Sequence, residues 1–402
     1  MTLLPQGHRA VRGGPGCPAL KYADLMAPME ALEHSEKFDQ LRDEADVWFG
    51  DADGNEFWVM TRREDVQEVL QQPTLFSNRS LVPTDPDPEY MWIPEMLDPP
   101  VHTAWRKLLG GFFSPGAVDR MKPRMHELMR QIAEDTVKRG ECDFVVDVAL
   151  KFPNRLFMEM MGLPVEEADL FQTWEEAILH NGHDTERSVP AMMAVYAYFD
   201  DLIAKRRKQP QDDLVSVMSR WKIDGKPVDD QELQAVCLGL FIAALDSVAG
   251  QLAYSTLHLA THEQDRHRLL EEPELWPSAI EEFLRYYAFV TTSRKVTQDV
   301  EFNGCPMKAG QMVFLPLSAA TRDPQAFPDA DKIILDRPAN RHIAFGAGPH
   351  RCLGSHLARA ELVIGMQEWH RVIPNYRLAP GVPVREHGGV IGLDNLPLVW
   401  DV

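Results

Sequence analysis

Cysteine is scarce in this chain and odd in number: five among 402 residues, Cys17, Cys142, Cys237, Cys305 and Cys352, with no C-x-x-C pair. An even disulfide framework and a zinc site built on paired thiolates are excluded, and the reading is a reducing, cytoplasmic compartment. Positive charge is short as well. Lys and Arg number 41 against 61 Asp and Glu, a formal charge of -20. Nucleic acid and anionic membranes both need a basic surface, so neither is the expected partner, and an anionic partner must meet a local basic patch. The most apolar stretch, Ala235 to Gly250, is too short to span a bilayer and carries Asp246. Residues 1–20 hold Gly, Pro, Arg and His in place of a continuous apolar core, so they read as a loose N-terminal arm with no signal or membrane anchor. No fixed-period repeat and no linker rich in Gly, Ser or Pro divides the rest, which makes residues 21–402 one expected domain. Nor does a G-x-G-x-x-G follow a strand pattern, so electrons from a flavin or nicotinamide must come from another protein.

Apolar residues at helical spacing are plentiful. Arg63 to Gln71, Val101 to Phe112, Ala117 to Arg139, Glu166 to His180, Pro190 to Lys208, Asp230 to Thr261, Pro277 to Tyr287 and Ser355 to Arg371 repeat them every three or four residues, which predicts helices. Asp230 to Thr261 as one helix would be about 48 Å long. Strand patterns are short: Glu56 to Thr61, Val300 to Phe302 running into the hairpin turn Asn303-Gly304, Gln311 to Leu317, Asn375 to Leu378 and Leu396 to Trp400. The expected fold class is mainly α with small β-sheets, an α+β body.

Chemistry concentrates in Phe345-Gly-Ala-Gly-Pro-His-Arg-Cys352-Leu-Gly354. Gly346 and Gly348 let the backbone turn tightly against a flat ligand, and Cys352 precedes a helix whose N-terminal dipole and N–H groups favour a thiolate. A lone cysteine is most often a small buried hydrophobe. Six fixed residues in this order, however, arise by chance in roughly one in 10⁶ chains of this length. One thiolate cannot make a tetrahedral zinc site but is sufficient as the proximal ligand of haem iron.

This segment resembles the haem-binding loop of the cytochrome P-450 family, and the resemblance extends from about Leu41 to Val402. Glu282-Phe-Leu-Arg285 resembles the family's Glu-x-x-Arg, with Arg337 as the third member of its triad; an isolated pair of this kind is usually a solvated surface bridge. The resemblance implies haem b (iron protoporphyrin IX) ligated by Cys352 beside Phe345 and Gly346. It assigns His102, Arg106, Arg294 and His342 to the two propionates, for which the arginine fork is well suited. In the long helix, Ala243-Ala-Leu-Asp246-Ser247 resembles the oxygen-side motif, with Ser247 where threonine is usual and Ala244 where glycine is usual. An acid and a hydroxyl can pass protons to bound oxygen, which makes Asp246 and Ser247 the catalytic candidates. The bland alternative is a serine bonded back to its own helix.

A narrower resemblance is to soluble bacterial members of the camphor monooxygenase type, carried by Tyr90-Met-Trp-Ile-Pro94, Asp98-Pro-Pro100, Leu245-Asp-Ser-Val248 and Ile373-Pro-Asn-Tyr376. It implies a pocket of Leu81, Trp92, Ile242, Ala243, Val290, Val390 and Ile391, with Tyr90 as anchor for one substrate oxygen. Gly239 and Gly389 stand where that relative is bulkier, which suggests a larger pocket. The expected reaction inserts one atom of O2 into a C–H bond of a compact, mostly apolar substrate such as a terpenoid. Electrons would come through a ferredoxin and its reductase, docking near Arg351, Lys107 and Arg341. The alternatives are a peroxide-driven haem-thiolate enzyme and a haem sensor without turnover.

Overall fold

The computed structural model describes residues 10–17, 19–180 and 184–402. The central apolar helix starts at a reciprocal cap: Asp229 Oδ1 accepts from the Glu232 N–H, and Glu232 Oε2 accepts from the Asp229 N–H. From there α1 (Asp230–Leu245) and α2 (Ser247–Thr261) follow one another, interrupted at Asp246. One continuous helix is the expectation, and the break has a local cause. The Ser247 hydroxyl donates to the Ala243 carbonyl at 2.9 Å, and side-chain bonding to the preceding turn bends a helix. Among the described residues this stretch alone is long and apolar enough to cross a membrane, but 56% of its most apolar window is buried within the protein, as a core helix is.

Two further helices frame the same space. α3 (Trp276–Tyr286) presents Glu282 and Arg285, both without solvent exposure. α4 (Ser355–Val372) packs along Pro115–Val137 and buries Trp369 against Phe144 at 5.0 Å. Glu282 is anything but a surface bridge. It accepts from Arg285 (Nη2 at 2.7 Å, Nε at 2.9 Å), from Arg337 Nε at 3.0 Å, from Asn340 Nδ2 at 3.0 Å and from the Ile334 N–H at 2.9 Å. Arg285 and Arg337 in turn donate to the carbonyls of Ala330, Lys332 and Asp329. The network thus ties α3 to the chain that leads into the cysteine loop.

The largest sheet has seven strands. Its β1 (Val47–Ala52) and β2 (Asn55–Met60) form an antiparallel hairpin through Asp53 and Gly54, both at positive φ as a tight turn requires. β3 (Thr291–Val296) pairs antiparallel with β4 (Met312–Pro316), Arg294 opposite Val313, and β4 runs parallel to β2. Alternation along β3 turns Arg294 inward from this sheet. Asn303 and Gly304 also take positive φ between the paired Val300–Phe302 and Cys305–Met307. Part of the expected loose arm is held: Val11–Arg12 and Leu20–Lys21 both pair with β1, while residues 1–9 and 18 lie outside the described residues.

Candidate active site

A cavity of about 390 Å³ is walled by α1 and α2, by β3, by the loop 344–354 and by α4. Cys352 lines this cavity and is exposed within it. Its own N–H is held by the Phe345 carbonyl at 2.8 Å, which closes the loop. Burial raises the thiol pKa, while the Gly354 N–H and the charges of Arg106 and Arg351 pull the other way. The helix N-terminus and its donors therefore do not by themselves yield a thiolate here; a bound metal cation is what would displace the proton. Gly348 shows why the loop needs its glycine. At φ +69°, a Cβ there would lie 2.3 Å from the Leu70 carbonyl oxygen.

Two arginines and two histidines gather at the same wall, none of them in an ion pair among the described residues. Arg294 is 3% exposed and spends only Nη1 on internal acceptors, Thr292 Oγ1 at 3.0 Å and the Ser293 carbonyl at 2.7 Å. Burial pulls its pKa down to about 10. Arg106 donates to the Arg351 carbonyl at 2.6 Å and also lines the cavity. His102 is buried with both ring nitrogens unpartnered and lies 4.0 Å from the His350 ring. Burial lowers His102 to about 4 and, with His102, Arg294 and Arg106 nearby, His350 to about 2. One buried and one half-buried arginine, neither in an ion pair among the described residues, and two partnerless imidazole nitrogens beside a cysteine make a set with room for further anions and a soft metal. Haem supplies both, two carboxylates and an iron, so the residues fit it.

The expected pocket is divided by the structure. Leu81, Trp92, Ile242, Ala243, Val290, Ser247, Phe345 and Gly346 line the cavity with the cations and Cys352. Asp246 is buried next to Ser247 but is not part of the wall. Tyr90 is set apart: its half-buried ring packs on Trp92 at 5.4 Å, off the cavity wall. Ile391 faces a separate small recess with Tyr254 and Phe289, and Phe289 stands between that recess and the cavity by lining both. Val390 lines neither space. His342 departs from the propionate assignment because both its nitrogens are engaged, Nε2 with Glu281 at 3.0 Å and Nδ1 with the Ala344 N–H at 3.2 Å. The larger pocket expected from two glycines is also corrected. A Cβ on Gly239 would meet the Ile93 carbonyl at 2.9 Å, and one on Gly389 the Leu179 carbonyl at 3.0 Å, so main chain takes up that room.

Sequence reasoning passed over several polar residues on this wall, among them His350, Glu361 and Glu95. His350 sits inside the loop motif itself. Glu361 follows Leu357 and Ala358 at helical spacing from Cys352, a pattern that was available. It is 4% exposed, has no charged or hydrogen-bonding neighbour among the described residues, and burial drives its carboxyl up to about 8. Glu95 reaches the wall from a loop whose course no periodicity announces.

Comparison with known proteins points to one family. A family model described as cytochrome P-450 matches residues 181–386. The probable cytochrome P-450 127A1 of Sinorhizobium fredii is 35% identical over 87% of this chain and 84% of its own length. The mycinamicin IV hydroxylase/epoxidase of Micromonospora griseorubida is 35% identical over 86% of this chain and 90% of its own. Among solved structures, CYP101J2 superposes with a TM-score of 0.86 at 28% identity, over 94% of this chain and 96% of that one.

Proposed function

Because the chain belongs to the cytochrome P-450 family, whose members are monooxygenases that bind haem b through a cysteine thiolate, we propose that Cys352 is that thiolate and that the cavity above it takes a compact, mostly apolar substrate. The observation that carries the reading is one cavity sharing a cysteine, two arginines free of carboxylate partners, and an apolar wall. Arg106 and Arg294 hold the propionates, with His102 beside them. Bound haem supplies the site for oxygen activation and the oxidising power for C–H insertion.

The chain's own residues do the rest. Leu81, Trp92, Ile242, Ala243 and Val290 exclude water and orient the substrate by shape. Ser247, on the wall, hands protons into the cavity once its hydroxyl turns from the Ala243 carbonyl, and the buried carboxyl of Asp246 next to it supplies them. A terpenoid with one oxygen suits this wall. The relative named for mycinamicin IV, 35% identical, is a hydroxylase/epoxidase of that compound. Tyr90 would meet a substrate oxygen only by turning from Trp92. A ferredoxin with its reductase delivers the electrons, and the protein works as one domain, residues 21–402, in the cytoplasm.

The carbon monoxide difference spectrum of the reduced, haem-loaded protein tests the ligand. The thiolate band is expected in the parent and absent in Cys352→His. A parent without that band overturns the assignment. Product formed with NADH, ferredoxin and reductase, and not with peroxide alone, separates the monooxygenase from a peroxide-driven enzyme and from a sensor.

A further inference from the structure

Behind the cavity wall, two buried tyrosines stand in series, each with a base on its hydroxyl. Phe289 lines the cavity, and the Tyr254 ring lies 5.6 Å from it with 28° between the planes. Tyr287 stacks on Tyr254 at 6.0 Å with 8° between the planes. The Tyr254 hydroxyl donates to Glu386 Oε1 at 2.8 Å. The Tyr287 hydroxyl meets His258 Nδ1 at 2.9 Å, and His258 Nε2 lies 2.8 Å from Asp265 Oδ2. A carboxylate at Nε2 keeps the proton there, so Nδ1 is the acceptor.

This arrangement bears on electron loss. A phenol buried in apolar protein cannot give up an electron and keep its proton, since an uncompensated buried charge is too costly. Oxidation needs a base already hydrogen-bonded. Both tyrosines have one. Tyr254 also lies in the field of Glu386, Asp246 and Asp394, which favours positive charge on the ring. Tyr286 and Tyr376 differ: Arg322 sits 4.4 Å over the Tyr286 ring and Arg266 4.9 Å over that of Tyr376, and a cation opposes a hole. Tyr198 also donates to a carboxylate, Glu167 at 2.7 Å, but it lines neither the cavity nor the recess behind Phe289.

We propose that Tyr254 and Tyr287 form a hole-transfer pair that carries oxidising equivalents out of the cavity when oxygen activation fails to meet a substrate. The oxidising equivalent at the haem, supplied in turnover by O2 and reductant and in the test by a peracid, takes one electron from Tyr254 and is reduced by one. The phenolic proton moves to Glu386. Tyr287 then gives an electron to Tyr254, which recovers its proton from Glu386, while the Tyr287 proton passes to His258 Nδ1. A small soluble reductant such as ascorbate returns the last electron and proton. His258 is the proton acceptor, Asp265 positions it through Nε2, and Asp265, about one-third exposed, opens the chain to solvent.

The test mixes ferric, haem-loaded protein with a peracid, freezes it, and reads electron paramagnetic resonance with and without ring-deuterated tyrosine. A tyrosyl signal whose splitting collapses on deuteration is expected in the parent. Tyr254→Phe and Tyr287→Phe keep both rings stacked, and their double variant is expected to lose that signal and to bleach its haem faster without substrate. Haem loading is read separately from the ferric spectrum, so failure to bind haem is told apart from failure of the pair. A parent that forms no tyrosyl radical, or a double variant that keeps the parent's signal, overturns the proposal.

Discussion

The buried Glu361 makes the site's least expected residue its easiest to test. Its carboxyl, raised by burial to about 8, keeps a proton in the folded chain that the unfolded chain loses near 4.5. Between those values the folded state binds more protons, so stability falls as pH rises, from about 0.4 kcal/mol of penalty at pH 4.5 to on the order of 3 kcal/mol at pH 7. Glu361→Gln is therefore expected to raise the urea midpoint of haem-free protein at pH 7 to 8 and to leave it near the parent's at pH 4.5. Equal midpoints at pH 8 would mean that the carboxyl has a partner in solution. The short segments around Cys352, Arg106 and Ser247 pointed to residues that, with Arg294, line one cavity, while the roles proposed for them rest on the family resemblance. Where His342, Tyr90 and Ile391 point was not legible: His342 turns to Glu281 and Ile391 faces Phe289, both distant in the chain, Tyr90 packs on Trp92 two residues on, and spacing announces none of these contacts.

At the scale of the element, the cysteine loop is held by backbone shape more than by side chains. Gly348 needs positive φ and leaves no space before the Leu70 carbonyl, whereas Gly346, also at positive φ, faces open space. Gly348→Ala then carries a left-handed penalty of about 1 to 2 kcal/mol plus a backbone clash, and Gly346→Ala the first cost alone. We expect Gly348→Ala to lose haem occupancy, measured as haem per purified chain, well beyond Gly346→Ala; equal occupancy would show that the loop yields. Helices with an apolar stripe were readable, among them Arg63–Gln71 and Ser355–Val372. Glu33–Glu44, mostly charged, offers little stripe, and its cohesion comes from Phe38 and Leu41 meeting the sheet. The interruption at Asp246 also escaped periodicity, because apolar spacing runs straight through it and a single hydroxyl bond decides the matter.

Over the whole molecule, strand order was beyond the sequence, since β4 joins β2 in parallel across some 250 residues and nothing local encodes that pairing. Charge, in contrast, was readable and has a consequence for electron supply. A chain of net charge -20 repels an acidic ferredoxin at long range, so productive approach depends on the few cations around the cysteine loop. Lys107 and Arg341 are both exposed, and Lys107 is next in the chain to Arg106, whose own head turns inward to the cavity. Neither touches the proposed haem contacts with its charge, so reversing it disturbs approach and leaves the chemistry alone. Lys107→Glu with Arg341→Glu is expected to raise the KM for an acidic ferredoxin while kcat with saturating partner holds. Added salt, which screens exposed charges over about 8 Å at physiological strength, should weaken the parent's reduction rate and raise the double variant's, whose reversed charges repel the partner. A parent whose reduction does not respond to salt would place the electron entry on some other face.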